Sequence, residues 1–235
     1  MTDLDSPLQN NDFRRDPAAT WDHLMSAWKL PAARIAEMRE QVKGRAVPLA
    51  LTECHFALPG RNRCEVLSSW AAGVANARIL NLHERNGDVL RIATLPDFCG
   101  TTWQVNAIMI PMPRGKAFMM PVARVMALYR RHSGSRALAV RKAPPGLDAT
   151  ASRKGKRIFA HVVNTHRTRP APTRLHVAGL EIQSGRVFEI AAPPEVEIMA
   201  HNADILAPVE KPMPESMIWT FPPASVSAVE LHVQA

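Results

Sequence analysis

The chain has 235 residues, of which 46% are hydrophobic, and its formal net charge at pH 7 is +8. This length suffices for one large domain or two modest domains, and this hydrophobic content excludes a wholly disordered chain. No apolar run approaches the ~18 residues that a membrane span needs, and the polar N-terminus is unlike a secretory signal peptide. Cys54, Cys64 and Cys99 are too few and too odd in number for a disulfide framework, and their spacing matches no zinc motif. We therefore expect a cytoplasmic protein without a membrane partner.

The positive charge, with a sequence pI near 10.0, raises nucleic-acid binding as a hypothesis. Basic residues are densest at 153–157, which read Arg-Lys-Gly-Lys-Arg. The glycine indicates a turn between strands, and no aromatic side chains are interleaved with the basic ones to stack on bases. We therefore expect a solvated basic surface and no nucleic-acid partner. A nucleic-acid binder would instead show a steep salt dependence of its affinity for any duplex.

Helical periodicity organises the chain after an irregular lead-in at residues 1–19. A first helix, with Thr20 as its N-cap, is indicated by apolar side chains at helical spacing: Trp21, Leu24, Met25 and Trp28. A second helix is predicted to begin near Pro31 and to end at Gly44, with an apolar face that carries Ile35, Met38 and Val42.

A buried parallel strand is predicted at residues 47–53. Val47 to Leu51 carries no charge, as in a strand that is covered on both faces. A helix with an apolar stripe from Val66 to Leu80 follows, and a second apolar run follows at residues 89–94. Strand, helix and strand form a βαβ unit, and parallel α/β enzymes hold their catalytic groups at the C-terminal ends of the strands. Glu53 is therefore a catalytic candidate, and the alternative is a surface glutamate at a strand end.

The loop at residues 95–106 lies at the C-terminal end of the second strand, where long loops are often functional. Residues 83–85, which read His-Glu-Arg, are expected at the solvated end of the preceding helix. A further helix is predicted from Phe118 to Tyr129, and its methionines are expected to fill the core.

The pattern changes after about Gly134, where long helical periodicity gives way to short runs of β type. Four strands are predicted, with proline and glycine between them: 157–163, 173–178, 186–190 and 225–233. The last of these alternates cleanly between apolar and polar residues. Together they predict an antiparallel β-sandwich of roughly a hundred residues at 135–235, after an α/β domain at 1–134.

The order of these elements resembles the C-terminal half of the α-L-arabinofuranosidases of glycoside hydrolase family 51. The resemblance runs from about residue 20 to the end and rests on an ordered set of segments, none of them diagnostic alone: Leu49-Ala-Leu-Thr-Glu-Cys-His55, Trp70-Ala-Ala-Gly-Val-Ala-Asn-Ala-Arg78, Gly87-Asp-Val-Leu-Arg-Ile-Ala-Thr94, Asp97-Phe-Cys-Gly-Thr-Thr-Trp-Gln-Val-Asn-Ala107, Val162-Val-Asn164 and Phe221-Pro-Pro-Ala-Ser-Val-Ser-Ala-Val-Glu-Leu231. It implies that residues 1–134 are the C-terminal portion of a (β/α)8 TIM barrel and that residues 135–235 are the terminal β-sandwich.

The resemblance also implies roles for three residues, and strand alternation adds His55 as a fourth candidate. Glu53 matches the glutamate at the end of the seventh barrel strand, which is the nucleophile of a retaining hydrolysis. The family often carries Asp-Glu-Trp at this point, whereas this chain has Thr-Glu-Cys. Trp103 and Asn106 match the loop that contacts sugar. His55 lies two residues past Glu53 and either contacts sugar, tunes Glu53 or has a structural role.

The second carboxyl that such a reaction needs is missing from the matched segments. In the family it belongs to an Asn-Glu pair at the fourth strand, and this sequence contains no such pair. Asp97 either serves as a surrogate acid or forms a turn. The resemblance thus implies a fragment of an α-L-arabinofuranosidase with little turnover of its own, which acts on arabinose-containing glycans without a cofactor and can form homo-oligomers. The alternative is a non-catalytic carbohydrate-binding or assembly module.

Overall fold

In a computed structural model, the chain is described at residues 2–3, 12–54, 56–57, 65–95, 97–102 and 105–234. The α-helices in these ranges all lie before residue 132: α1 (Asp12–Arg15), α2 (Pro17–Ser26), α3 (Lys29–Gln41), α4 (Trp70–Arg85) and α5 (Pro121–Arg131). Two short 3-10 turns lie at Glu65–Ser68 and Ala203–Leu206.

Short strands lie among the helices, and the longest strands follow them. The short strands are β1 (Thr2–Asp3), β2 (Leu49–Leu51), β3 (Phe56–Ala57), β4 (Leu90–Ala93), β5 (Cys99–Gly100), β6 (Ile108–Met109) and β7 (Phe118–Met119). The strands of the second half are β8 (Arg136–Leu138), β9 (Leu147–Lys154), β10 (Arg157–Asn164), β11 (Ala171–Arg174), β12 (Glu181–Ala191), β13 (Val209–Pro212), β14 (Ile218–Phe221) and β15 (Ser225–Gln234).

Helix α2 begins earlier than the apolar spacing predicts. The Asp16 carboxylate caps it by accepting the Ala19 N–H at 2.9 Å, and Pro17 occupies the first turn. Proline is favoured there because the first helical N–H groups have no partner within the helix. The prediction that Thr20 is the N-cap is therefore wrong, and Thr20 is buried instead.

Helix α5 also begins at a proline. Pro121 lies in its first turn, and the two residues predicted to start the helix, Phe118 and Met119, form strand β7. The buried face of the helix carries Val122, Val125 and other apolar residues at helical spacing, as predicted.

The predicted βαβ unit is present, but the prediction that its first strand is covered on both faces is wrong, because Ala50 is exposed. Strands β2 and β4 pair in parallel, and α4 connects them in the chain. Leu49 and Leu90 are opposite each other and form a small core cluster with Leu82 of α4 and Ile35 of α3. Burial of these aliphatic side chains, each worth about 1.5–3 kcal/mol, holds the two short strands against the helices.

The six-stranded antiparallel sheet has the order β13-β12-β15-β10-β9-β8. Strand β10 shows how its two faces differ. Ile158 and Val162 belong to the cluster on one face, which includes residues of β11 and β14. His161 and Val163 contact the opposite cluster, which contains the side chains of α4 and α5. The sheet therefore lies between a two-stranded sheet and the helices.

The sequence predicted only part of this second half. Strands at 157–163, 186–190 and 225–233 are all present within longer strands, whereas the strand expected at 173–178 is found at Ala171–Arg174. Strand β9 was missed. One face of the large sheet packs against helices and the other packs against the two-stranded β11–β14 sheet, so the predicted β-sandwich domain stays a prediction.

Candidate functional site

Glu53 lies two residues beyond the end of β2, and its side chain is exposed. Main-chain hydrogen bonds continue between the two parallel strands after the sheet ends. The Thr94 N–H donates to the Leu51 carbonyl at 3.0 Å, and the Cys54 N–H donates to the Leu95 carbonyl at 3.3 Å. These bonds lie on both sides of Glu53 and fix its backbone at the C-terminal edge of the sheet.

Cys54, the residue after Glu53, is buried whereas Glu53 is exposed. Cys54 is buried, and burial raises the pKa of its thiol to about 11, so the sulfur stays protonated at neutral pH. A neutral buried thiol is a poor nucleophile and a poor metal ligand. Across the described residues, no group of three or more His, Cys, Asp or Glu side chains lies close enough to hold a metal ion. The carboxylate of Glu53 is exposed beside this buried thiol.

Asn106 lies in the loop that follows β4, the strand beside β2. Its side chain is buried against Gly100, where an added Cβ would come within 2.6–2.8 Å of the Asn106 amide atoms. The Ala107 N–H donates to the Asp97 carbonyl at 2.8 Å and joins the two arms of the same loop. In this structure Asn106 packs inside the loop, so its predicted contact with sugar stays a prediction.

The remaining predicted site residues divide into two groups. His55 and Trp103 lie outside the described residues. Asp97 is described and exposed, and it follows β4 as Glu53 follows β2. Because the C-terminal ends of adjacent parallel strands meet at one edge, the structure places the Asp97 and Glu53 segments on the same edge of the β2–β4 pair.

A polar cluster that the sequence did not reveal joins α4 to the large sheet. Asp148 of β9 accepts hydrogen bonds from Arg78 Nε at 3.1 Å and from Arg85 Nη1 at 2.6 Å. Burial acts to raise the pKa of Asp148, but the hydrogen bonds and charges of Arg85 and Arg78 outweigh it and hold the pKa below its usual value. The carboxylate thus stays ionised between two arginines.

The same cluster continues along α4. Thr150 donates to Glu84, which also bonds His161 Nδ1 at 2.9 Å. Asn81 accepts the Tyr129 hydroxyl at 2.8 Å, and burial raises the Tyr129 pKa well above its ordinary value. The prediction that residues 83–85 lie at a solvated helix end is therefore wrong for His83, which is buried, and right for Arg85, which is exposed.

His83 differs from its neighbours in this cluster. It is buried, and neither ring nitrogen has a hydrogen-bond partner among the described residues. Burial lowers its pKa to about 4 and the charge of Glu84 opposes this, so the ring is neutral at pH 7. The hydrophobic periodicity of a helix does not reveal a buried polar residue such as His83, because the residues that cover it come from other parts of the chain.

Comparisons with known proteins identify similar folds and no similar sequences. No protein-family model matches the sequence, and no curated protein matches it. An α-L-arabinofuranosidase from Thermotoga maritima has 20% identity and a TM-score of 0.72, with 90% of this chain and 50% of that chain covered. A GH51 arabinofuranosidase from Xanthomonas axonopodis pv. citri has 15% identity and a TM-score of 0.69, with 91% and 48% covered. AbfB, a family 51 enzyme from Bifidobacterium longum, has 15% identity and a TM-score of 0.69, with 95% and 51% covered.

The chain shares its fold with the family 51 arabinofuranosidases. It spans about half the length of these structures. At these identities the likeness shows the fold alone, a mixed arrangement of helices and sheets. None of the helices in the described part of the chain is both long enough and apolar enough to cross a membrane.

Proposed function

We propose that this chain is the C-terminal half of a retaining α-L-arabinofuranosidase of the family 51 type. The observation that supports this is the position of Glu53, an exposed carboxylate at the C-terminal edge of two parallel strands, in a fold shared with these enzymes. In this proposal residues 1–134 are the last strands and helices of a (β/α)8 barrel, and residues 135–235 are the terminal β domain.

Glu53 is the nucleophile in this proposal. Its carboxylate attacks the anomeric carbon of a terminal α-L-arabinofuranosyl residue, and the bond to the leaving oxygen breaks as a second carboxyl protonates that oxygen. Water then hydrolyses the glycosyl-enzyme ester, and the second carboxyl accepts its proton, so the anomeric configuration is retained. His55, Trp103 and Asn106 are proposed to contact the sugar or to support the loops around it. The reaction needs no metal or organic cofactor.

The second carboxyl must lie roughly 5–5.5 Å from the nucleophile in a retaining enzyme. The solved arabinofuranosidases are about twice as long as this chain. We propose that this group comes from protein beyond these 235 residues, and that Asp97, exposed at the same edge, is the alternative within them.

Hydrolysis of an aryl α-L-arabinofuranoside with a good leaving group tests the proposal. An activated leaving group needs little protonation, so a nucleophile alone can release it. We expect a burst or slow turnover by the wild type and its loss in Glu53→Gln. Asp97→Asn is the matched control, because it changes an exposed carboxylate at the same edge. Asp97→Asn should keep the burst if the acid lies outside the chain.

A flat trace from folded wild-type protein would contradict activity of this chain alone. Addition of the N-terminal half of a family 51 enzyme would then separate the two remaining functions. Restored turnover that depends on Glu53 would support the half-enzyme. Binding of arabinose-containing oligosaccharides without turnover under any condition would support the carbohydrate-binding module, which the half-length match also permits.

A further inference from the structure

A groove of about 600 Å³ opens on the face of the large sheet that points away from α4 and α5. Its floor is made by β9 and β10, and its far wall by β11 and the segment after it. Small side chains on the floor account for the space: Ala149, Ala151 and Ala160. In packed β-sheets, larger side chains from two layers normally interdigitate at such positions. The volume falls within the range of small-molecule sites.

The walls of the groove are apolar and its rim is basic. Leu138, Leu147, Leu175 and Val177 are among the partly buried side chains that line it. The charged residues that line it are all basic: Arg141, Lys142 and Arg174. These three are exposed, and within the described ranges no carboxylate lines the groove.

The three rim cations also lack the partners that some cations elsewhere in the chain have. Among the described residues, none of the three forms an ion pair or a side-chain hydrogen bond. By contrast, Arg186 pairs with Glu210 at 2.9 Å and Arg39 pairs with Asp88. Three unpaired cations beside an apolar slot complement a ligand with an apolar body and a negative head.

The backbone beside the groove is poorly suited to a peptide strand. Strand addition relies on a row of free N–H and C=O groups along an edge. Pro172 in β11 has no N–H to donate. The Leu175 N–H, farther along the same segment, is already bonded to the Met217 carbonyl at 2.8 Å. Side-chain burial and charge, rather than main-chain pairing, therefore decide what binds here.

We propose that this groove binds an anionic amphiphile, a small molecule with an apolar alkyl or aryl body and a carboxylate, sulfonate or phosphate head. The body lies on the alanine floor, and the head pairs with Arg141, Lys142 and Arg174. The site is independent of Glu53. Ile158 and Val162 of β10 line the groove, whereas His161 between them faces the helices, so the groove and α4 lie on opposite faces of one sheet.

Fluorescence titration with two matched probes tests the charge requirement. Anilinonaphthalene sulfonate carries the negative head, and phenyl-naphthylamine has the same rings without it. We expect the sulfonate to bind at least about tenfold more tightly to the wild type, the factor that one charge-assisted hydrogen bond supplies. Dodecanoate should displace the sulfonate, and a failure to displace it would restrict the site to aryl anions.

Two sets of variants locate the binding. A triple change to glutamine at Arg141, Lys142 and Arg174 should weaken the sulfonate about tenfold or more and leave phenyl-naphthylamine unchanged. Arg131→Gln is the control, because it removes an exposed arginine at the end of α5 that does not line the groove. Ala160→Trp should fill the floor and abolish binding of both probes.

Unchanged sulfonate binding in the triple variant would overturn the proposal, and so would equal affinity of the wild type for the two probes. Binding to another apolar surface, such as the exposed Phe98, would give that result. The glutamine changes affect exposed side chains only, so they decide the question even if Ala160→Trp does not fold. Loss of Glu53-dependent hydrolysis has no bearing on this outcome, which separates the two proposals.

Discussion

Tyr129 and His161 stack with their ring centroids 3.8 Å apart, and this stack joins helix α5 to strand β10. The ring of His132, which follows α5, similarly stacks on Phe188 of β12 at 4.0 Å and bonds Glu230 of β15 at 2.9 Å. The helices that follow β2 and β4 are thus held to the large sheet by buried polar and aromatic contacts. A change on the sheet should therefore alter the stability of the helical half that carries Glu53.

Asp148 is the first test of this coupling. Its side chain is 9% exposed and bonds Arg78, which is 17% exposed. Asp148→Ala leaves a largely buried guanidinium without its counter-ion, so we expect a loss of about 3 kcal/mol in the free energy of unfolding, measured by denaturant titration.

Asp204 is the matched control for that measurement. Its carboxylate pairs with Arg124 at 2.8 Å but is 97% exposed, so water screens the pair. Asp204→Ala should cost less than about 1 kcal/mol. Similar losses in the two variants would show that the Asp148 cluster contributes no more than a surface pair.

A comparison of strand β9 with its neighbours shows why the sequence predicted part of the fold and missed the rest. Strand β15 alternates between apolar and polar residues along most of its length, and β10 carries runs of large apolar residues, so the local sequence is enough to find both strands. Strand β9 places Ala149 and Ala151 on the groove face and Asp148 and Thr150 against α4. Its apolar side chains are too small and its buried ones too polar to show a hydrophobic pattern.

The candidate site divides in the same way. The position of Glu53 follows from a local pattern, an uncharged strand that ends on a carboxylate, and the structure places it at that strand end. The buried side chain of Asn106 packs on Gly100 across the loop, and Glu84 bonds His161, 77 residues away. Pairings at such separations leave no local signal, so the sequence could not assign them.

His83 gives a prediction for the pH dependence of stability. Its ordinary pKa is 6.5, and burial lowers the pKa in the folded state to about 4. Between these values the unfolded chain binds the extra proton, so the free energy of unfolding falls as the pH falls from about 6.5 to about 4. One buried histidine with this shift accounts for up to about 3 kcal/mol of that loss.

His83→Leu should flatten this part of the stability profile, because leucine does not titrate and leaves no buried nitrogen without a partner. Denaturant titrations at several pH values measure the slope. The same titrations on His23→Leu give the comparison, since burial also lowers the pKa of His23 but this residue lies in α2, away from the cluster. An acid slope that is the same in His83→Leu and in the wild type would show that the folded ring accepts a proton without cost.

Cys54 and Cys99 should differ sharply in reactivity. Cys99 is exposed, whereas Cys54 is 2% exposed and burial raises its pKa to about 11. Thiolate is the form that reacts with alkylating agents. At pH 8 we expect iodoacetamide to modify Cys99 and to leave Cys54 unmodified until the protein is denatured. Peptide mass mapping resolves each position, and rapid modification of Cys54 in native protein would contradict its burial beside Glu53.

Replacement of Gly73 in α4 by alanine should destabilise the protein, although the same change stabilises most helices. Alanine in place of glycine inside a helix normally adds about 1 kcal/mol. Here a Cβ would lie 2.7 and 2.8 Å from two ring carbons of Trp70 and 3.0 Å from Pro121. The indole is fully buried and donates to the Ala224 carbonyl at 2.6 Å, so it cannot shift without losing that bond. We therefore expect Gly73→Ala to destabilise the protein by about 1–3 kcal/mol.

A double-mutant cycle attributes this cost to the ring. Trp70→Phe removes the outer part of the indole and is itself destabilising, because it leaves a cavity and an unpaired carbonyl. If the clash with the ring is the cause, Gly73→Ala should cost much less in the Trp70→Phe background than in the wild type. Equal costs in both backgrounds would mean that the contact with Pro121, or the helix backbone itself, sets the requirement for glycine at this position.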